Sequence, residues 1–242
     1  HESVPYIAYV EDLEDLPYGT YGKLKLKRLA EDGRWVPMGD APLFPEARSD
    51  SVTLRYDGVR HLMLSFETMD GATNLYQWDM EADAPQWQEI EFPGVMNGIM
   101  SDMTAAGDSL YLLMEYYYGM DVWKYNRTDD AWSNLGGQFP GVKGALAVDG
   151  DIPYVVYVRE ADAETDAVVV KYVNQRWYQV GSNVYPQGTS IFAVDLAVNH
   201  YQPYVVYYND WGGVEARSLN LSWCTVKLDP YAGDHPATTV EL

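Results

Sequence analysis

Trp35, Trp87, Trp132, Trp177 and Trp223 follow one another at steps of 52, 45, 45 and 46 residues, and each occupies the same place in a weakly repeated unit. Self-similarity at a period of roughly 20–50 residues marks chains that stack one supersecondary unit many times. Each unit reads as four short β-strands. A single four-stranded sheet cannot bury both of its faces, so units of this kind stack radially and cover one another.

The best-conserved strand within the chain is Pro5-Tyr6-Ile7-Ala8-Tyr9-Val10-Glu11-Asp12, which returns at Pro153–Glu160 and Pro203–Asp210. Looser copies occupy His61–Thr68 and Ser109–Tyr116. All five are rich in large apolar residues, as suits a strand buried on two faces. Shorter strands follow at 24–29, 74–80, 122–126, 168–173 and 214–219, and each leads through a second turn to its tryptophan strand. A glycine four residues beyond the tryptophan (Gly39, Gly136, Gly181) supplies a turn that bulkier residues resist. The fourth strand of a unit precedes the Pro-Tyr run, at 51–56, 101–106, 144–148 and 193–198. It ends in tight-turn pairs such as Asp57-Gly58, Gly107-Asp108 and Asp149-Gly150.

The first unit lacks that fourth strand, whereas Ala237-Thr238-Thr239-Val240-Glu241-Leu242 reads as one to spare. Pairing the two would remove two open sheet edges, which such folds must protect. The expected fold is therefore all-β: a five-bladed β-propeller of four-stranded antiparallel blades, closed by the C-terminal strand pairing into the N-terminal blade. One domain over 1–242 is expected. Its blades fall at about 1–40 plus 237–242, 50–91, 100–137, 143–182 and 191–229, since a repeat running end to end leaves no room for a second domain.

Composition narrows the partners. With 36 acidic and 16 basic side chains the net charge is -20, and no lysine or arginine lies between Arg60 and Lys124. Nucleic acid needs clustered Lys and Arg, and so does an anionic membrane surface. Neither is an expected partner. No apolar run is long enough to span a bilayer, and no basic-then-apolar leader opens the chain. The chain begins at His1, and we expect a processed or excised piece. The single cysteine, Cys224, beside Trp223 in a predicted strand, reads as a small buried hydrophobe.

The pattern W-x-x-x-G, an aromatic, a small-residue loop, a strand, then P-Y-V-x-Y-x-[ND] is carried by Trp177, Gly181, Tyr185, Pro203-Tyr204-Val205 and Asp210. It resembles the tandem repeats of secreted or cell-surface bacterial β-propellers, and the resemblance covers nearly the whole chain. The outline is also similar to a five-bladed invertebrate lectin fold that binds amino sugars, although that fold's motifs are not matched. The WD pairing and the Asp-box are absent from the sequence, and so is a kelch double-glycine signature beyond an isolated Gly136-Gly137. The resemblance implies a secreted, cell-surface or periplasmic protein, and it specifies fold more than activity.

Sites must then be sought at equivalent positions. The loops from one blade's outer strand to the next blade's inner strand share a face with the turns after the second strand. Just beyond each tryptophan strand on that face stand Phe44, Phe92, Phe139, Tyr185 and Tyr231. These could stack on sugar rings, or plug the gaps between blades as repeated aromatics do. Acids at the second-strand ends, Glu11, Glu67, Glu115, Glu160 and Asp210, could converge on Ca²⁺ or on sugar hydroxyls, or be solvated. Asp102 and Asp195 sit on otherwise small or apolar inner strands, as ligand contacts or as acceptors for neighbouring backbone. No cofactor is expected, Ca²⁺ being the one the acids would suit.

The four histidines have no metal-ligand spacing, and no phosphate loop, nucleophile elbow or zinc signature appears. The leading expectation is a monomeric, non-catalytic extracellular binding module that recognises a carbohydrate or a protein partner. The alternatives are a glycan hydrolase built on face carboxylates and a purely structural scaffold.

Overall fold

A computed structural model describes residues 4–17, 19–38, 44–83, 85–92, 98–141, 143–161, 164–184, 190–209, 213–220 and 222–226. It divides into two compact units, residues 1–100 and 101–242. Every described regular element is a strand, and the described residues form five four-stranded antiparallel sheets. No described helix is long and apolar enough to cross a membrane.

Unit 1 holds two sheets. The first pairs β1 (Tyr6–Leu16) with β2 (Gly19–Leu29), and β2 with both β3 (Trp35–Pro37) and the two-residue β4 (Ala47–Arg48). Pairing of Leu29 with Trp35 at one end of β2 and of Tyr21 with Arg48 at the other makes β3 and β4 two pieces of one outer edge. Among the described residues no strand lies on the far side of β1, the side on which the first sequence unit lacks one. Segment 237–242, expected to fill the place, lies outside the described residues. The second sheet runs β5 (Thr53–Tyr56), β6 (His61–Glu67), β7 (Thr73–Asp79), β8 (Trp87–Glu89) in spatial order. Leu62, Leu64 and Phe66 on β6, Leu24 and Leu26 on β2 and Trp87 on β8 meet in one core between the two sheets.

Unit 2 repeats the plan three times. The third sheet is β9 (Ile99–Ala106), β10 (Ser109–Tyr116), β11 (Gly119–Asn126), β12 (Ala131–Phe139); the fourth is β13 (Lys143–Asp149), β14 (Ile152–Ala161), β15 (Glu164–Val173), β16 (Arg176–Gln179). The fifth is β17 (Ile191–Asn199), β18 (Gln202–Asn209), β19 (Val214–Asn220), β20 (Ser222–Val226). Alternate residues of β14 face opposite ways and enter two different cores. Val155 and Tyr157 pack against the third sheet, Tyr154, Val156 and Val158 against the fifth. That two-sided burial is why the Pro-Tyr run is apolar at every position rather than alternately.

The turn signals hold. Gly58, Gly107 and Gly150 have positive φ in the predicted hairpins, as do Gly136 and Gly181 beyond the tryptophans. In the fifth sheet the same inner hairpin is made by His200 and Tyr201, at φ 51° and 64°, where no glycine is available. Asp166, in the polar stretch expected to be solvated, is not open to water. Strands β14 and β15 run into that stretch as a hairpin, and Asp166 is buried against Arg159 at 2.6 Å.

Candidate functional site

Of the aromatics that follow the tryptophan strands, Phe44 and Phe139 are held by packing. Phe44 is half-buried, edge-on to Phe66, Tyr76 and Trp87 at centroid distances of 5.8, 5.0 and 6.1 Å. Phe139 is 4% exposed, stacked on Tyr157 at 5.2 Å and edge-on to Trp177 at 5.0 Å. Its ring has no face left for a sugar, so the plugging role expected as the alternative is the one this geometry serves. Phe92 is half-buried; Tyr185 and Tyr231 lie outside the described residues.

The inner-strand acids bind backbone. Asp102, on β9, accepts from the Met103 amide and from the Leu146 amide of β13, both at 2.8 Å, and so ties the third sheet to the fourth. Asp195 holds the corresponding place on β17 and accepts from Leu196 N at 2.8 Å.

The strand-end acids have separate surroundings. Glu11, expected at a strand end, lies within β1, which continues past a bulge to Leu16, and it pairs with Lys25 at 3.1 Å. Glu115 is half-buried, and its pKa is raised by that burial, with Lys143 pulling the other way. The side chain of Glu160 and the whole of Asp210 are outside the described residues. Among the described residues no three His, Cys, Asp or Glu side chains come together as a metal site.

Glu67 is different, because the chain brings other functional groups to it. After Pro45 the chain spends seven residues, 46–52, before the next inner strand begins, and there it forms β4. Ala47 of β4 is paired with Gly22 on one side and bridges Thr68, just past β6, on the other. This wedge sets Arg48 against Glu67, Nη1 to Oε2 at 3.2 Å, and against Asp50, Nε to Oδ1 at 2.7 Å. Ser51 donates to the Arg48 carbonyl at 3.0 Å and accepts from the Glu67 amide at 2.8 Å, which fixes the pair's backbone. Burial works against the Arg48 charge, but Asp50 and Glu67 outweigh it and raise its pKa. The cation beside Glu67 is thus already supplied by the protein.

Next to this cluster a cleft of about 430 Å³ opens between Pro45-Glu46 and the β6–β7 turn, lined also by Thr68, Met69, Asp70, Ala72 and Asn74. Thr68 donates to Asp70 at 2.6 Å, and Asn74 donates to the Thr68 hydroxyl at 3.2 Å. The Thr68 hydroxyl and the Ala72 amide hold the Asp70 carboxyl below the usual carboxylate range. The cleft lies on the face where outer-to-inner loops and second-strand turns meet. It offers carboxylates, an amide, a hydroxyl and a nearby guanidinium in fixed positions, a set suited to a neutral ligand rich in hydroxyl groups.

Of these groups only Glu67 was a sequence candidate; Arg48, Asp50, Thr68, Asp70 and Asn74 were missed. A signal existed. The first tryptophan step is 52 residues where the others are 45 or 46, and much of that excess is the segment that carries Arg48, Asp50 and Ser51.

No protein-family model matches the sequence, and no curated protein matches it. Solved structures do share its fold. AofleA from Arthrobotrys oligospora aligns at a TM-score of 0.56 and 12% identity, over 93% of this chain and 71% of its own. SapL1 lectin in complex with α-methyl fucoside gives 0.59 at 10% identity, over 93% and 80%. A variant of Aleuria aurantia lectin in complex with α-methyl-L-fucoside gives 0.51 at 14% identity, over 93% and 78%. The A. aurantia protein is a fungal lectin with a six-bladed β-propeller fold. At such identities the likeness shows a β-propeller type of fold and nothing finer. These neighbours differ from the bacterial, five-bladed proteins of the sequence resemblance, and the strand expected to close five blades is outside the described residues.

Proposed function

We propose that the chain is a non-catalytic carbohydrate-binding module, secreted, at a cell surface or periplasmic, and that the cleft between the first and second sheets is its sugar site. The observation that carries this is the Arg48–Glu67 pair, fixed by Ser51 and set beside a polar cleft of about 430 Å³. The pair holds the two walls of the cleft, and the side chains that line it, Asp70, Thr68 and Asn74, are locked to one another and present donors and acceptors, as sugar hydroxyls do, without needing to reorganise. Support also comes from the fold, shared with lectins solved in complex with α-methyl fucosides. Fucosides are for that reason the first ligands to try.

The test is a glycan array probed with the wild-type chain and with Arg48→Gln, accompanied by thermal melts. Saturable binding to defined glycans is expected, and so is its loss in the variant, with the melts showing the variant still folded at the temperature of the array. Glycan binding that survives Arg48→Gln would move the site elsewhere, and no glycan binding by the wild type would end the carbohydrate reading in favour of a protein ligand.

A further inference from the structure

Unit 1 contains a second cavity, at the other end of the same two sheets. Tyr6 and Arg28 are cross-strand partners on β1 and β2, seven residues along β2 from Tyr21, which places them roughly 23 Å from the Arg48 end. There a cavity of about 340 Å³ is lined by Tyr6, Met38, Trp78, Met80 and two prolines, with Arg28 as the only charged residue among the described residues that line it. Its size lies at the low end of the range for small-molecule sites, roughly 300–1,000 Å³. Met38 is buried, and Tyr6, Trp78 and Met80 are half-buried, so the walls are apolar and already packed.

Arg28 is the feature that needs explaining. The chain carries 36 acidic side chains against 16 basic ones. Arg34, Arg48, Arg60 and Arg159 each take a carboxylate partner, at 2.6–3.5 Å. The exposed Arg28 guanidinium has no hydrogen-bond or ion-pair partner among the described residues, although it borders an aromatic cavity. A planar guanidinium presents two parallel donors that match a carboxylate, and it does so best beside surfaces that exclude water. Tyr6 and Trp78, the latter braced against Trp87 at 5.4 Å, line the cavity with aromatic surface, and two thioethers adapt to a ring's outline.

We propose that this cavity is a binding site for a small apolar, ring-bearing body that ends in a carboxylate, held by Arg28 and stacked on Trp78. Such a group exists both as a free arylalkanoate and as the C-terminal aromatic residue of a polypeptide. The site is independent of the sugar cleft and stands whether or not that cleft binds a glycan.

The test titrates hydrocinnamate, its primary amide, and N-acetylphenylalanine into the wild-type chain, Arg28→Gln and Trp78→Phe, read by calorimetry and tryptophan fluorescence. Both acids should bind saturably, at least about tenfold more tightly than the amide, a difference of about 1.4 kcal/mol. Arg28→Gln, an exposed position whose loss should leave the melting temperature unchanged, should erase the preference for acid over amide. Trp78→Phe should remove most of the fluorescence change. A preference for N-acetylphenylalanine over hydrocinnamate would assign the site to polypeptide ends, and the reverse to free acids. Equal binding of acid and amide, a preference that survives Arg28→Gln, or no saturable binding of either acid would overturn the proposal.

Discussion

The junction between the first and second sheets and the junction between the third and fourth are built from the same repeat position and end differently. At the second of these, Phe139-Pro140 is followed by two residues, 141–142, before the inner strand begins. Gly141 lies so close to β14 that an added Cβ would stand 2.9 Å from the Val158 carbonyl and 3.1 Å from the Tyr157 ring. The chain crosses flush, Phe139 fills the gap, and Asp102 joins the inner strands. At the first junction Phe44-Pro45 is followed by seven residues, the chain makes an extra strand, and a polar cleft with Arg48 beside it is left. The packing device is common to both; the candidate site is what the additional chain length adds.

That contrast can be broken most forcefully at the aromatics. Phe139→Ala should destabilise unit 2 by about 3–5 kcal/mol, the range for truncating a buried large aromatic. Phe44→Ala, at a half-buried ring with an open cleft nearby, should destabilise unit 1 by clearly less. Denaturant unfolding of both variants checks this, and equal losses would remove the distinction between a sealed junction and an open one.

A smaller effect is expected from Gly141→Ala. The new methyl meets backbone that cannot swing aside, so a loss of about 1–3 kcal/mol follows from overpacking. An unchanged unfolding midpoint would show that the flush crossing is not tight.

The smallest effect is electrostatic. Glu115, on the third sheet, is half-buried with its pKa raised by that burial, Lys143 offsetting only part. A raised folded-state pKa contributes stability that is fully present below the unfolded value, about 4.3, and is lost as pH rises through the folded value. Glu115→Gln should therefore flatten the decline of unit 2 stability above that pH, as followed by thermal melts from acid to neutral pH. Glu67, beside Arg48, should give no such gain when changed to Gln, because the substitution also strips the guanidinium of a partner.

Much of the fold was legible because it rests on local chemistry repeated five times. The Asp-Gly and Gly-Asp hairpins, the glycines after Trp132 and Trp177, and the two-faced Pro-Tyr strand of the fourth sheet occur where the sequence puts them, whereas the first copy of that run, on β1, has no fully buried residue and leaves Ile7 exposed. The candidate site was hardly legible, since it arises where the repeat is broken. Arg48 and Asp50 occupy no equivalent position in the other units, and Thr68, Asp70 and Asn74 read as ordinary turn residues until β4 is laid against them. The acids that do repeat, such as Glu11 and Glu115, found different neighbours in each sheet, because their surroundings are set by what the neighbouring strands place beside them, Lys25 of β2 for one and Lys143 of β13 for the other.

The most direct test of the account is to map a bound sugar by amide chemical-shift changes, using the strongest glycan found on the array, with α-methyl-L-fucoside as the first candidate. Perturbations concentrated at residues 45–51 and 67–74, and absent from Arg48→Gln, are what the sugar cleft requires. Perturbations clustered on another part of the chain, with 45–51 and 67–74 silent, would contradict it.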